Sequence, residues 1–257
     1  MSTLGRLFFA VSMVAFGTQQ LLTGELVRLV PPLPAWMPGH PVWAGLVGVL
    51  LLVIGLAIGT GRGARGALAV LGVMLALSIL FLHVPKIAAN PGAGFVWTNP
   101  FKALAMLGGV LVLAGSLPVG ERDRRSGLAR LFERLRPLGP LFFASFLILG
   151  GIQHFVYADF VTKLVPAWVP GARYWVYFTG IALIAGGAGI LLPKTARLAA
   201  TMTGIMILLW VVLLHVPRAL ADLHNASETS GVFEALALSG VAFLLASWDR
   251  PQPRRLN

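Results

Sequence analysis

The 257-residue chain contains no cysteine, which excludes thiol redox chemistry, disulfides and cysteine metal sites from the protein itself. Charge is scarce as well, at 11% of residues, and only nine side chains are acidic. Several catalytic signatures are missing. There is no His-Glu-x-x-His zinc motif, no Gly-x-Ser-x-Gly elbow and no phosphate loop, so nothing marks a peptidase, an esterase or a nucleotide enzyme. Neither an arginine-rich voltage sensor nor a potassium-channel filter occurs. No metal-ligand cluster is expected.

What is present is apolar. The chain is 57% hydrophobic with a mean hydropathy of +0.84, more than a soluble domain of this size can hide, so a polytopic membrane protein is expected. A formal charge of +11 would suggest nucleic acid in a soluble chain. Beside membrane spans the same cations are topology signals, and no nucleic-acid partner is expected.

The chain also repeats. Leu82-His83-Val84-Pro85-Lys86 returns 132 positions later as Leu214-His215-Val216-Pro217-Arg218. The same offset lays Pro34-Ala35-Trp36-Met37-Pro38-Gly39 on Pro166-Ala167-Trp168-Val169-Pro170-Gly171, and Gly48, Phe101 and Gly108 on Gly180, Phe233 and Gly240. Before that block the offset is 134, and Leu4-Gly5-Arg6-Leu7-Phe8 matches Leu138-Gly139-Pro140-Leu141-Phe142. This is a tandem duplication of about 110 residues. The expected organisation is a first four-span repeat over 1–119, a basic linker over 120–137, a second repeat over 138–248 and a basic tail over 249–257.

Spans of roughly 17–25 apolar residues are expected at Leu7–Leu22, Val42–Ile58, Ala67–Leu82, Phe101–Leu117, Pro140–Tyr157, Tyr174–Leu192, Ala196–Leu214 and Val232–Ser247. The fold class is therefore all-α, with eight transmembrane helices as two parallel four-helix repeats. The first apolar run, after Arg6, ends at Thr18-Gln19-Gln20 with no small-x-small cleavage site and reads as a retained span. Placing the termini, the turns after the second and sixth spans, and the linker on one side puts fourteen of the twenty Lys and Arg there and six opposite. That bias puts both termini in the cytoplasm of a bacterial inner membrane. An even number of spans per half makes the repeats parallel. In the linker, Leu128, Leu131, Phe132 and Leu135 recur at helical spacing, which predicts a short amphipathic helix on the cytoplasmic lipid surface.

The polar chemistry falls on the outer side, where all five histidines lie; His40 and His224 have no repeat partner and read as loop residues. The first half offers Gln19, Glu25, Trp36, His83 and Lys86, and the second Gln153, His154, Asp159, Trp168, His215 and Arg218. Polar and ionisable groups within a membrane are expensive and normally face the bundle interior. Imidazole can donate to, accept from or protonate a bound carbonyl near neutral pH, and a quinone headgroup needs such a donor beside aromatic faces. His215, His154 and His83 are thus candidate catalytic residues. Gln153, Gln19, Trp168, Trp36, Arg218 and Lys86 are candidate cofactor contacts, with quinone as the cofactor.

Simpler roles stand beside these. Trp36 and Trp168 suit the interfacial aromatic belt, Pro85 and Pro217 suit the end of the third span of each half, and Lys86 and Arg218 suit snorkelling to phosphates. His83 and His215 suit solvation at the headgroups. A bis-histidine haem would need those two to face each other across the repeat axis, and their place near the interface disfavours it. Lys102 and Glu234 occupy equivalent positions with opposite charge, which predicts an ion pair between the halves.

Gly151-Ile152-Gln153-His154-Phe155 at the end of a first span, then Val165-Pro166-Ala167-Trp168-Val169-Pro170 before a glycine-rich second span, resembles the DoxX family. The second half fits better, since Gln20-Leu21 stand where it has His154-Phe155. DoxX-like proteins are typically four-span membrane proteins, and they include a membrane subunit of an archaeal thiosulfate:quinone oxidoreductase. The resemblance implies a covalent dimer of that unit and a quinone-linked redox partner in the membrane or periplasm. Two other classes fit the same residues: a carrier of a small anion or apolar solute entered at Lys86 and Arg218, and a membrane scaffold for a periplasmic partner.

Overall fold

The computed structural model describes residues 1–26, 38–120 and 126–248. Trp36, Arg28, most of the first proline-rich loop, the start of the linker and the tail lie outside the described residues. Among the described residues every regular element is helical. In chain order they are α1 (Ser2–Thr23), α2 (His40–Thr60), α3 (Ala64–Ala89), α4 (Gly94–Ser116), α5 (Gly127–Leu135), α6 (Gly139–Val156), α7 (Ala172–Leu191), α8 (Ala196–Ala221) and α9 (Ala226–Ala246). A one-turn helix, Ala158–Thr162, follows α6. Seven helices are long and apolar enough to cross a membrane, with α5 and α6 counted as one continuous stretch. α1 has 22 residues but is not among the seven; Arg6 and the Gln19-Gln20 pair dilute its apolar content.

Equivalent residues shape equivalent elements. Gly39 and Gly171 both take a left-handed conformation, φ +74° and +67°, immediately before α2 and α7, a geometry that glycine adopts without a Cβ clash. The third helix of each half carries a π turn, Ile79–His83 in α3 and Val211–His215 in α8. Each turn directly precedes the helical segment that contains Pro85 or Pro217. A proline within a helix has no N–H for the carbonyl four residues back and crowds it. A locally widened π turn takes up that misfit. The prolines therefore do not end these helices, as their position suggested; α3 runs on to Ala89 and α8 to Ala221.

The halves interlock. α1 packs between α2 of its own half and α9 of the other, and α6 packs between α7 and α4. α4 and α9 pack together at the centre, and the apolar stretch of α9 is 72% buried against 28% for α8. Neither half is thus a self-contained bundle, because its first helix is seated on the other half's last. Four glycine pairs make the contacts. A Cβ on Gly5 would collide with the Gly240 carbonyl, one on Gly108 with Gly139, one on Gly17 with Gly48 and one on Gly151 with Gly180. The first two crossings are repeat equivalents of one another, and so are the last two. Backbones can approach this closely in lipid only where side chains are this small. Leu46, Val53, Phe81, Ile181, Leu209 and Val212 stay exposed on the periphery, as a lipid-facing surface requires.

Lys102 and Glu234 do pair, Nζ to Oε2 at 2.7 Å, joining α4 to α9. The linker helix departs from expectation. α5 is capped by the Ser126 hydroxyl, which accepts from the Ala129 N–H. It docks on protein rather than resting on the lipid surface alone: Phe132 is buried with its ring against Gly72 of α3, and α5 packs on both α3 and α4. Glu133 holds Arg65 at 2.7 Å, and Arg65 also donates to the Ala114 and Leu117 carbonyls. Leu128 and Leu131 remain exposed on the other side of α5.

Candidate functional site

The polar side chains gather at one end of the helical array, where α1, α3, α6 and α8 finish and α4 and α9 begin. The two glutamines are clasps between halves. Gln19 Nε2 donates to the Ala226 carbonyl at 2.7 Å, and its Oε1 accepts from Ser230 Oγ at 3.0 Å. Gln153 repeats this on the other side, donating to the Gly94 carbonyl at 2.8 Å and accepting from Thr98 Oγ1 at 3.1 Å. Each amide is engaged at both ends by the start of the other half's last helix. Expected as headgroup contacts, Gln19 and Gln153 both hydrogen-bond across the junction between the repeats.

His215 is half-buried beside Gly231 of α9. It lies within electrostatic range of Lys102, Glu234, Arg218 and Glu228. Arg218 is bound by Glu228 at 2.5 Å, so it is neither a bare cation nor merely a snorkelling one. His215 thus belongs to a charged cluster of α4, α8 and α9 in which each cation has its carboxylate.

His154 stands apart from that cluster. Its Nδ1 lies 2.7 Å from the Gly150 carbonyl. A carbonyl only accepts, so in the neutral ring Nδ1 carries the proton and Nε2 becomes the acceptor. The ring stacks on Trp210 of α8, centroids 6.1 Å apart and planes 23° from parallel. Phe155 next to it stacks on Tyr177 of α7 at 5.6 Å. Neither His154 nor Trp210 is fully buried. These are two separate ring pairs on neighbouring positions of α6, and among the described residues the only hydrogen bond of the His154 ring is the one at Nδ1. Nothing in the sequence marks Trp210, which sits in the apolar run Ile207-Leu208-Leu209-Trp210 and reads there as one more lipid-facing residue.

The remaining candidates are dispersed. His83 is buried and within electrostatic range of exposed Lys86. The two π turns pack on different central helices, the first on α4 and the second on α9, and no hydrogen bond or ring contact joins His83 to His215 among the described residues. Trp168 is 65% exposed, which suits an interfacial anchor; its counterpart Trp36 lies outside the described residues.

Residues 143–248, nearly all of the second half, match a family model described as a domain of unknown function, DUF8561. No curated protein and no solved structure matches the chain.

Proposed function

We propose that the chain is an eight-span protein of a bacterial inner membrane, with α1 as the eighth span and both termini cytoplasmic. In this reading it is a DoxX-like pair fused into one chain, acting as the quinone-interacting membrane subunit of an oxidoreductase system. The charge bias of fourteen cations to six supports the orientation.

The observation that carries the function is the His154–Trp210 stack. A quinone headgroup is a flat ring with carbonyl oxygens at its edge, and it arrives from the bilayer. Trp210 and Phe155 offer ring faces. His154 Nε2 becomes a donor on protonation and returns to an acceptor on losing that proton, so it can accompany a change in the headgroup's reduction state. His215 and Arg218 serve in this reading as the fixed charge field beside the route to the outer surface, and His83 and Lys86 as its first-half counterpart. The electrons come from a redox partner in the membrane or periplasm. The test is extraction and mass analysis of lipophiles bound to the protein purified in mild detergent, with H154A alongside. A quinone present in the parent and lost in H154A supports the function; equal quinone in both contradicts it.

The carrier alternative drew on Lys86 and Arg218 as an anion entrance. Pairing of Arg218 with Glu228 neutralises one of those two cations, which favours the quinone reading.

A further inference from the structure

Three of the half-buried cations have a carboxylate each: Arg65 holds Glu133, Lys102 holds Glu234 and Arg218 holds Glu228. Arg136 is half-buried too, yet it has no carboxylate and no hydrogen-bond acceptor among the described residues. It sits in the short 3-10 turn Arg136–Leu138 between α5 and α6, at the end of the array where α4 and α9 finish. The acceptors at the end of α4 are occupied. Arg65 takes the Ala114 and Leu117 carbonyls, and the Ser116 hydroxyl takes that of Leu113. A guanidinium kept partly out of water without a counter-ion is costly, so its partner must come from outside the chain.

The protein fixes one edge of this guanidinium and leaves the other open. A Cβ on Gly115 of α4 would collide with the Arg136 stem and guanidinium, so the side chain lies flat against that helix. The Trp248 ring, two residues beyond α9, is 6.0 Å from Arg136 Cζ, within cation–π range. Nε is buried and unpartnered, whereas the two Nη nitrogens are unpartnered but not buried. The forked edge therefore reaches the surface, and it is the edge that takes phosphate oxygens two at a time.

The surroundings suit a lipid headgroup. Tryptophan favours headgroup depth. Leu138 of the same turn and Leu141 one turn along α6 are exposed, and in α5 exposed Leu128 and Leu131 alternate with exposed Arg130 and Arg134. Apolar side chains interleaved with cations fit an anionic head carrying acyl chains rather than a free phosphate. The first half has Ser2 and Ser116 at the equivalent positions, so the arrangement occurs once. We infer that Arg136 and Trp248 form a binding site for the phosphate of an anionic phospholipid. The inference needs the chain to span a bilayer and does not rest on the quinone reading.

Native mass spectrometry of the full chain, with phosphatidylglycerol and phosphatidylcholine competing in detergent, tests it. R136Q should weaken phosphatidylglycerol binding about tenfold, the size of one charge-assisted contact. R134Q, which alters an exposed arginine of the neighbouring helix, should change it by less than about twofold. Phosphatidylglycerol should also raise the melting temperature of the parent more than phosphatidylcholine does. Unchanged binding in R136Q overturns the site, and so does an equal loss in R134Q, which would mean diffuse attraction between charges. A parent stabilised equally by both lipids, or as much by inorganic phosphate as by phosphatidylglycerol, overturns it without recourse to any variant.

Discussion

Lys102 Nζ and Glu234 Oε2 meet at 2.7 Å although the two residues are repeat equivalents, 132 positions apart. In a pair of identical halves the same position would carry the same charge on both sides of the axis and repel. Divergence to opposite signs turns the central contact of α4 and α9 into a bond between halves. Their side chains are 30% and 14% exposed, so solvent screens the pair only in part. K102E and E234K should each lower stability by roughly 1–3 kcal/mol, and the double swap should recover most of it. Thermal unfolding of the four proteins in one detergent checks this; a double mutant no better than the worse single contradicts it.

Gln19 and Gln153 provide a second junction. Q19L and Q153L should each cost about 0.5–1.5 kcal/mol and leave bound lipophile unchanged, because both amides are engaged between helices. Loss of the lipophile at parent-like stability would return these glutamines to the ligand site.

The glycine crossings predict steric effects of the same symmetry. G108V and G240V should each destabilise by about 1–3 kcal/mol through overpacking, since each drives a side chain into the facing helix's backbone at Gly139 or Gly5. A G240V protein with unchanged unfolding temperature would contradict the interlocked arrangement.

Phe132 anchors the linker helix. F132A should cost about 3 kcal/mol, the lower end for removing a buried phenylalanine. It should also speed tryptic cleavage at Arg130 and Arg134 as α5 leaves α3 and α4. Unchanged cleavage would mean that α5 is held by something else.

Much of this arrangement is legible in the sequence. The self-alignment that pairs Lys102 with Glu234 also pairs Gly5 with Gly139 and Gly108 with Gly240, and these are the positions at which the halves touch. What periodicity cannot report is which helix a given face meets. Gln19 and Gln153 were recognisable as polar residues at span ends, but not their partners Ser230 and Thr98 in the opposite half. Pro85 and Pro217 read as stops because a proline most simply ends a helix; the π turn before each depends on backbone geometry that no residue type announces. Phe132 looked like part of a lipid-facing stripe because α5 is amphipathic whichever apolar surface it covers.

The mass spectrum of lipophiles extracted from the purified parent, H154A and W210A tests the quinone site itself. A quinone bound to the parent and lost from both variants, with all three proteins folded, is the expected result. A parent that carries only phospholipid, or variants that retain the quinone in full, would contradict it.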